Sequence, residues 1–524
     1  MKKWLPILVL GLTQFVMVLD GTVMNVSITD VVGDLGTTTS NMQLAIATFT
    51  LTMAALMLAG AGLGTRLGLR RTFVIGNVIY AIGSLTTAFA PGFAALIIGC
   101  SLEAGRGARM VVPAIAALAA VNYSGRERAM AYAVLGGIAG AASAAGPLIG
   151  GWMTTYLSWR WVFGLETLII LLLVLPLHRR IVDQRPTAIQ GRFDWLGVLL
   201  SALSMGLIVL ALVSASTWGL IQPINPPFTL WGFSPTMPMV VVGAMVAWGF
   251  ISWQEHLQTH GGAPLVGLDL LSLPSLRAGL ASQLVLYFIV AGTFFVIPLY
   301  LQTVLELNAL ESGIRMLPMS VCLFLVALIG SKLASRRSPR QLIRSGLLIA
   351  CGGLVLMISA IRPQADSVLF TLAMASIGIG IGLAISQIGN VNLSSADQTR
   401  STEIGGMQGT AQNLGASLGV AIAGTALFIA LGNQLTTTVN NNPLINPVLK
   451  QATEAAQKEG IQVVTPELLN SYLQKAGVPS DQIQLISDDY TSSKLQALRL
   501  GLGYVLVVAL LGLPLTRGLP RQPL

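Results

Sequence analysis

Five ionisable side chains lie within long apolar stretches of this 524-residue chain, where charge is otherwise scarce. They are Asp20, Glu103, Arg106, Arg109 and Glu166. At the centre of a bilayer an ionised side chain costs roughly 2.5 to 3.5 kcal/mol or more, so each of the five is a candidate functional group. Carboxyls in such a place can take up and release protons, and guanidinium groups can bind anions through charge-assisted hydrogen bonds.

Asp20 shares one helical face with Met17 and Met24, because they are spaced three and four residues from it. One carboxyl among flexible thioethers suits a proton site beside a cavity that adapts to amphipathic molecules. The alternative is an aspartate that only fixes its helix to a neighbour through hydrogen bonds. Both interpretations stay open, and the three residues are candidates for proton and substrate binding.

Glu103, Arg106 and Arg109 stand three residues apart on one stripe of a predicted helix. Glu103 and Arg106 can form an ion pair that breaks when Glu103 takes up a proton. Alternatively, they form a buried ion pair that stays intact. The arginines can instead face a cavity and bind an anionic or zwitterionic head group. Glu166 can also titrate, although it is expected near the outer membrane surface, where a carboxylate is ordinarily hydrated.

The elements that position these residues are predicted to be membrane-spanning helices. Hydrophobic residues make up 54% of the chain and charged residues 10%, against roughly 25% charged residues in a soluble domain. Apolar runs of about 20 residues, the length that crosses a bilayer, recur from end to end. The first run follows Lys2 and Lys3, carries Asp20 and lacks a cleavage site, so we expect a retained helix rather than a signal peptide.

The pattern predicts an all-α integral membrane protein with about fourteen transmembrane helices. The predicted spans are 5–28, 41–64, 72–90, 93–121, 128–153, 160–177, 194–214, 236–254, 278–304, 311–334, 341–361, 366–389, 402–432 and 494–515. A basic loop after the second span, Leu63 to Arg66, is repeated after the tenth as Leu333 to Arg336. Such repeats are typical of transporters built from two halves with a site between them.

Three parts of the chain are therefore expected. Residues 1–180 form an N-terminal six-helix bundle, 181–275 a linker with two additional transmembrane helices, and 276–524 a C-terminal six-helix bundle. A polar external segment at 433–493 is either a small helical cap or a plain solvated loop.

The formal charge of +9 is explained by orientation rather than by a nucleic-acid partner. If the N-terminus is cytoplasmic, most of the 30 basic residues fall in inner segments, while the short outer loops hold Arg160 and Arg362. Both termini are thus expected in the cytoplasm. The three cysteines, Cys100, Cys322 and Cys351, lie in apolar segments without zinc-site spacing, so neither a metal nor another cofactor is predicted.

Small residues mark two predicted helices. Gly146, Pro147, Gly150 and Gly151 lie near the end of the fifth span, where glycines let helices approach closely and the proline frees a backbone carbonyl. This is either a gating seam or ordinary membrane packing. Gln412 lies on a stripe of small residues in the thirteenth span and can line a cavity or simply accompany that packing.

Several motifs occur in order along the chain. They are Leu19-Asp20-Gly21-Thr22-Val23-Met24-Asn25-Val26, Gly146-Pro147-Leu148-Ile149-Gly150-Gly151, Ser158-Trp159-Arg160-Trp161-Val162-Phe163, Phe193-Asp194-Trp195-Leu196-Gly197 and Gly313-Ile314-Arg315-Met316-Leu317-Pro318. Together they resemble the fourteen-helix drug/proton antiporter branch of the major facilitator superfamily over nearly the whole chain. The resemblance implies the bacterial cytoplasmic (inner) membrane, proton coupling, and gating by the glycine-proline motif.

The chain also departs from the family pattern. In the loop after the second helix Arg66, Gly68 and Arg70 match the family's gating motif, but Thr65 stands where the motif has an aspartate. The fourth helix has Ser101 where the family has an arginine. The family's proton coupling therefore does not transfer directly.

We predict a proton-coupled secondary active exporter of amphipathic drug-like or lipid-like compounds that works by alternating access. An exporter of a specific anionic metabolite or lipid is the alternative on the same fold, and a non-transporting sensor or scaffold is the alternative of another class. Nucleotide-binding, zinc-protease and nucleophile-elbow motifs are lacking, so an enzyme is not expected. The expected partners are membrane lipids, protons and the small-molecule substrate, and the protein is expected to be a monomer.

Overall fold

The structure is a computed structural model that describes residues 4–103, 107, 109–123, 125–183, 193–333, 336–364, 367–396, 400–441, 463, 469–470, 474 and 480–522. Within these ranges the regular elements are helices, apart from a single bridge between Leu230 and Phe233. The predicted all-α class is confirmed.

The helices follow one another with mostly short connections. They are α1 (Leu5–Val26), α2 (Ile28–Leu35), α3 (Thr39–Leu67), α4 (Leu69–Ala88), α5 (Phe93–Leu102), α6 (Arg109–Asn122), α7 (Gly125–Tyr156), α8 (Arg160–Ile169), α9 (Leu175–Leu177), α10 (Trp195–Trp218), α11 (Thr236–Thr259), α12 (Leu268–Leu271), α13 (Pro274–Thr303), α14 (Ala309–Leu333), α15 (Pro339–Ala360), α16 (Ser367–Leu393), α17 (Ser401–Asn441) and α18 (Ser480–Gly512). A π-helical turn, Ile170–Val174, joins α8 to α9, and 3₁₀ turns follow α9 and α18.

Local sequence fixes several helix starts. The Thr38 side chain accepts a hydrogen bond from the Asn41 backbone N–H at the start of α3, 3.0 Å long. Asp194 accepts one from the Gly197 backbone N–H at the start of α10, 2.7 Å long. Each side chain satisfies a backbone donor that the first helical turn leaves unpaired.

Eleven helical segments of the described part are long and apolar enough to cross a membrane. They are α1, α3, the run from α8 through α9, α10, α11 and each of α13 to α18. The other predicted spans coincide with α4, with α5 plus α6, and with α7. Because these are not among the eleven, the count of fourteen stays a prediction.

The structure differs from the predicted spans in two places. In the fourth span α5 ends at Leu102, Glu103 and Gly107 have π-helical geometry, and α6 begins at Arg109. Local π-helical turns are frequent at functional sites. The predicted external segment 433–493 lies largely outside the described residues, but α17 extends to Asn441 and α18 begins at Ser480, so both helices continue into that segment.

Packing brings the first and last parts of the chain together. The helix α1 packs on α7, α3 on α17, and α14 on both α7 and α16. The α10–α11 pair is attached through α10, which contacts α3 and α17. The division into two six-helix bundles and two additional helices stays a prediction, but α1 and α17, which carry Asp20 and Gln412, border one central space.

Candidate functional site

A cavity of about 300 Å³ lies at the centre of the helices, walled mainly by α1 and α3 on one side and α13, α14 and α17 on the other. Thioether and aromatic side chains supply much of the wall: Met17, Met24, Met53, Met57, Phe49, Tyr287 and Phe294. Of the described residues that line it, Asp20 is the charged one. Gln412 also lines the cavity, so four predicted site residues meet in one place.

Asp20 is nearly fully buried, and one of its oxygens is bound by a tyrosine behind the cavity wall. The Tyr80 hydroxyl on α4 donates to the Asp20 Oδ2 atom over 3.0 Å. Tyr80 is itself fully buried. The aspartate therefore faces the cavity and is connected, through its hydrogen bond, to the interior of the bundle.

Glu166 of α8 shares this tyrosine. Its Oε2 atom lies 3.3 Å from the Tyr80 hydroxyl and 3.2 Å from the Ser84 hydroxyl. Glu166 is completely buried, so the interpretation of a hydrated surface carboxylate is wrong. The reason is that α8 packs directly against α4, which covers the side chain.

The Tyr80 hydroxyl has one hydrogen but two carboxyl neighbours, Asp20 and Glu166. It can donate to only one of them at a time. The second contact is a hydrogen bond only when that carboxyl is protonated and donates to the tyrosine oxygen. The geometry thus favours one shared proton on the Asp20 and Glu166 pair.

Glu103 lies near this group, beside the Ser84 and Thr87 side chains. It is completely buried against Gly83, where an added Cβ would come within 2.8 Å of the Glu103 Cγ atom. Among the described residues neither carboxylate oxygen has a hydrogen-bond partner. An ionised carboxylate without partners is strongly unfavourable in an apolar interior, so this surrounding fits the protonated acid.

The structure does not test the two arginines predicted on the same stripe as Glu103. Arg106 and the side chain of Arg109 lie outside the described residues. The ion pair between Glu103 and Arg106 and the anion site formed by the arginines stay predictions.

The glycines of α7 bring this helix close to α1. An added Cβ at Gly146 would overlap the Thr22 side chain, and one at Gly150 would come within 2.7 Å of Val23. Both partners lie on the same stretch of α1 as Asp20. The contact therefore allows almost no side chain between the two helices.

The same helix approaches α14 through backbone. An added Cβ at Gly151 would come within 2.6 Å of the Ala309 carbonyl oxygen, and one at Gly313 would overlap the Pro147 carbonyl. Gly146, Pro147, Gly150 and Gly151 thus form the predicted close-packed seam, joining α7 to helices from both parts of the chain. Its role in gating stays a prediction.

Polar contacts close the bundle at the Gly151 end. The Ser27 and Thr154 hydroxyls are 2.7 Å apart, and the Thr29 hydroxyl donates to Gln302 over 2.7 Å. Gln302 in turn donates to the Val26 carbonyl over 2.5 Å. The contacts tie α1 and α2 to α7 and α13, and hydroxyl and amide groups of this kind can exchange for water when the helices separate.

The loop between α3 and α4 has a different carboxylate partner from the one the family motif implies. Gly68 has φ +94°, a conformation that favours glycine. The Arg70 backbone N–H donates to Asp183 over 3.0 Å, and the Arg66 guanidinium lies 5.5 Å from the Phe193 ring centre. Asp183, from the segment after α9, supplies a carboxylate to a loop that has Thr65 at the motif's acidic position.

Sequence reasoning missed Tyr80, Ser84 and Asp183. A signal for the first two was present, since Asn77, Tyr80, Ser84 and Thr87 form a polar stripe at spacings of three and four on an apolar helix. Nothing in the sequence connects Asp183 with a loop more than a hundred positions earlier.

Comparison with known proteins decides the family. The sequence profile of the Major Facilitator Superfamily matches residues 10–420. The chain belongs to this superfamily. It is accordingly a multi-pass membrane transporter and not an enzyme.

Curated superfamily proteins with similar sequences are named as transporters or resistance proteins. The probable actinorhodin transporter of Streptomyces coelicolor is 28% identical over 453 residues, which cover 84% of this chain and 75% of that protein. The puromycin resistance protein pur8 of Streptomyces alboniger is 28% identical over 81% of this chain and 82% of its own length. The multidrug efflux pump LfrA of Mycolicibacterium smegmatis is 26% identical over 81% of each.

A solved superfamily structure has the same fold. The bacterial homologue of the human lysosomal transporter Spinster, in an inward-facing and unoccupied conformation, aligns with a TM-score of 0.62 at 14% identity. The alignment covers 99% of this chain and 97% of that one. The likeness extends through the whole helical bundle.

Proposed function

We propose that this protein exports amphipathic, drug-like or lipid-like compounds across the bacterial cytoplasmic membrane in exchange for protons. The observation that carries the proposal is the central cavity, in which Asp20 is the charged member of a wall rich in thioether and aromatic groups. Such a wall adapts to differently shaped apolar molecules. The names of the relatives, which include an antibiotic resistance protein and a multidrug efflux pump, support an exported substrate of this type.

The charge of the cavity favours neutral or cationic compounds. An anion in an apolar cavity needs a cationic or strongly hydrogen-bonding partner, whereas Asp20 attracts a cation. Among the described lining residues neither lysine nor arginine occurs. We therefore favour amphipathic cations and neutral compounds over the specific anionic metabolite or lipid.

In the proposed mechanism the substrate and a proton compete at Asp20. Substrate in the cavity displaces the proton that Asp20 and Glu166 share through Tyr80, and reprotonation after release restores the pair. Glu103 is buried away from the cavity lining and so can keep its own proton while substrate is bound.

Alternating access needs two halves that move against each other, and we assign these to the bundles at 1–180 and 276–524. The seam of Gly146, Pro147, Gly150 and Gly151 suits that motion, because small residues let α7 rock on α1 and α14 without side-chain interlock. The polar contacts at the Gly151 end would separate when that end opens. The predicted orientation puts this end outside the cell and both termini inside.

The experiment uses purified protein in liposomes that contain a pH-sensitive dye. Tetraphenylphosphonium and tetraphenylborate, which share a shape but differ in charge, are added under an imposed proton gradient to wild type, Asp20→Asn and Asp30→Asn. Asp30 is an exposed acid on α2 and serves as the matched control. We expect proton flux with the cation only, lost in Asp20→Asn and kept in Asp30→Asn. Proton flux in Asp20→Asn equal to that of wild type, or flux with tetraphenylborate alone, would refute the proposal.

A further inference from the structure

The connection between α10 and α11, residues 219–235, is unusual in its lack of charge; we call it the tip loop. It contains no acidic or basic residue, and neither does any position between Asp194 and Glu255. The shorter connections 89–92 and 157–159 also lack charge, but others contain ionised groups, such as Glu306 and Arg362. Charge therefore gives the tip loop no tendency to stay in water.

The large apolar side chains of the tip loop point away from the protein. Trp231 is 93% exposed, Phe233 56% and Phe228 52%. Leu220 and Ile221 are exposed beside them. Several large exposed apolar side chains in one short loop indicate a contact with another apolar phase.

The end of the tip loop holds its tryptophan in a costly conformation. Leu230 and Phe233 exchange backbone hydrogen bonds of 3.0 and 2.9 Å around Trp231 (φ +50°) and Gly232 (φ +81°). Two-residue turns with two positive φ angles normally carry Asn, Asp or Gly. A positive φ is unfavourable for a residue with a bulky side chain, so the turn presents Trp231 outward at a cost in stability.

Part of the tip-loop backbone is hydrogen-bonded within the protein. The Ile224 N–H donates to Trp218 over 3.0 Å, and the Ser234 N–H donates to Ile221 over 2.9 Å. The Ser234 hydroxyl donates to the Gly219 carbonyl over 2.6 Å. Four further positions have no N–H to satisfy, because they are proline: Pro223, Pro226, Pro227 and Pro235. This partial satisfaction lowers the cost of contact with lipid, and at the interface the other N–H groups can reach water or head groups.

The position of the tip loop decides which apolar phase covers it. The helix α11 packs on α10, and only 11% of its most apolar stretch is buried in the protein, so this stretch faces lipid. At the other end of the hairpin Trp253 and Gln254 of α11 donate to Asp194 over 2.8 and 2.6 Å. The tip loop ends the same two helices at the opposite membrane surface.

We propose that the tip loop inserts into the lipid–water interface, with Phe228 and Trp231 among the upper acyl chains, and anchors that end of the α10–α11 hairpin to the bilayer. Tryptophan prefers this depth because its ring is apolar while its N–H can reach water or head groups. The anchor would fix the depth of this end of the α10–α11 hairpin in the bilayer.

The test uses a nitroxide label in liposomes. In a background with Cys100→Ala, Cys322→Ala and Cys351→Ala, the exposed Thr229 is changed to Cys and labelled. The exposed Gln364 of the α15–α16 connection, changed and labelled in the same way, is the control. Relaxation by oxygen, which concentrates in lipid, is compared with relaxation by a water-soluble nickel chelate. We expect the label at 229 to favour oxygen and the label at 364 to favour nickel. Equal nickel access at both positions would overturn the proposal.

A second set of variants tests whether Phe228 and Trp231 are the side chains that anchor the tip loop. Adding Phe228→Ser and Trp231→Ser to the labelled Thr229→Cys protein should move the label at 229 into the nickel-accessible range while thermal unfolding stays unchanged. Persistence of the oxygen preference would show that these side chains are not the anchor. Dipolar broadening between labels that disappears on dilution with unlabelled protein would identify a second copy as the covering surface, and would also overturn the proposal.

Discussion

The hydroxyl of Tyr80 lies 3.0 Å from the Oδ2 atom of Asp20, so a side chain outside the cavity lining contacts the acid inside it. The same hydroxyl lies 3.3 Å from Glu166, which is completely buried. The protonation of the cavity acid is thereby connected to a group that substrate in this cavity does not contact.

Removing the Tyr80 hydroxyl should weaken coupling without removing the cavity. In Tyr80→Phe the ring and its packing remain, but the hydrogen bonds to Asp20 and Glu166 are lost. A hydrogen bond to a charged group contributes about 1.5 to 3 kcal/mol, so we expect substrate-driven proton flux to fall by roughly tenfold or more. The measurement is dye-reported proton flux in liposomes. Tyr287→Phe, at a tyrosine of the cavity wall, should stay near wild type, and equal effects of the two changes would contradict this role.

A methyl group at Gly146 should block the seam. The added Cβ overlaps Thr22, and overpacking of this kind typically costs about 1 to 3 kcal/mol. We expect Gly146→Ala to lower the unfolding temperature and to reduce transport severalfold. Gly137→Ala, on the same helix but with nothing within 4 Å of the added Cβ, is the control and should be neutral or stabilising. Adding Thr22→Gly to Gly146→Ala should recover part of the lost stability and transport. If neither recovers, steric overlap with Thr22 is not the cause.

The Asp269 and Arg400 pair should give a pH-dependent contribution to stability. The Arg400 guanidinium binds both Asp269 oxygens and holds the pKa of Asp269 below its ordinary value. Because the folded-state pKa is lowered, the contribution is full above the unfolded value of about 3.9 and is lost as the pH falls through the folded value. We expect Asp269→Asn to unfold at a lower temperature than wild type at pH 7.

The pair is partly exposed, so its coupling free energy should be about 1 kcal/mol or less. A double-mutant cycle of Asp269→Asn and Arg400→Gln, measured by thermal unfolding from pH 7 down to about pH 3, checks this. A coupling free energy that grows as the pH falls would contradict the predicted loss of this interaction on protonation of Asp269.

The carboxylate of Asp183 should be needed at the α3–α4 loop. Asp183→Asn weakens the acceptor for the Arg70 N–H and removes the negative charge beside its guanidinium. We expect transport to fall severalfold with little change in unfolding temperature. Glu255→Gln is the control for loss of one negative charge. Glu255 is an exposed acid on α11, next to Gln254. Equal transport by both variants would mean that the loop does not depend on this contact.

The sequence predicted the parts of the site that depend on one helix at a time. Met17, Asp20 and Met24 share a face through helical spacing alone, and all three line the cavity. The glycines of α7 could likewise be recognised as a close-packing surface, because small residues at a helix interface have a direct steric meaning.

Contacts between distant helices could not be predicted in this way. Tyr80 meets Asp20 and Glu166 across sixty and eighty-six positions, and only packing of α4 against α8 decides that Glu166 is buried. The π-helical geometry at Glu103 and Gly107 could not be predicted either, because the hydropathy of a segment does not distinguish α-helical from π-helical turns.

The most direct test of the central claim is proton release on substrate binding in weakly buffered detergent solution. If substrate and proton compete at Asp20, binding of tetraphenylphosphonium near neutral pH should release up to about one proton per bound cation in wild type and none in Asp20→Asn. Release that is unchanged in Asp20→Asn, or binding to wild type without any release, would contradict exchange at this aspartate.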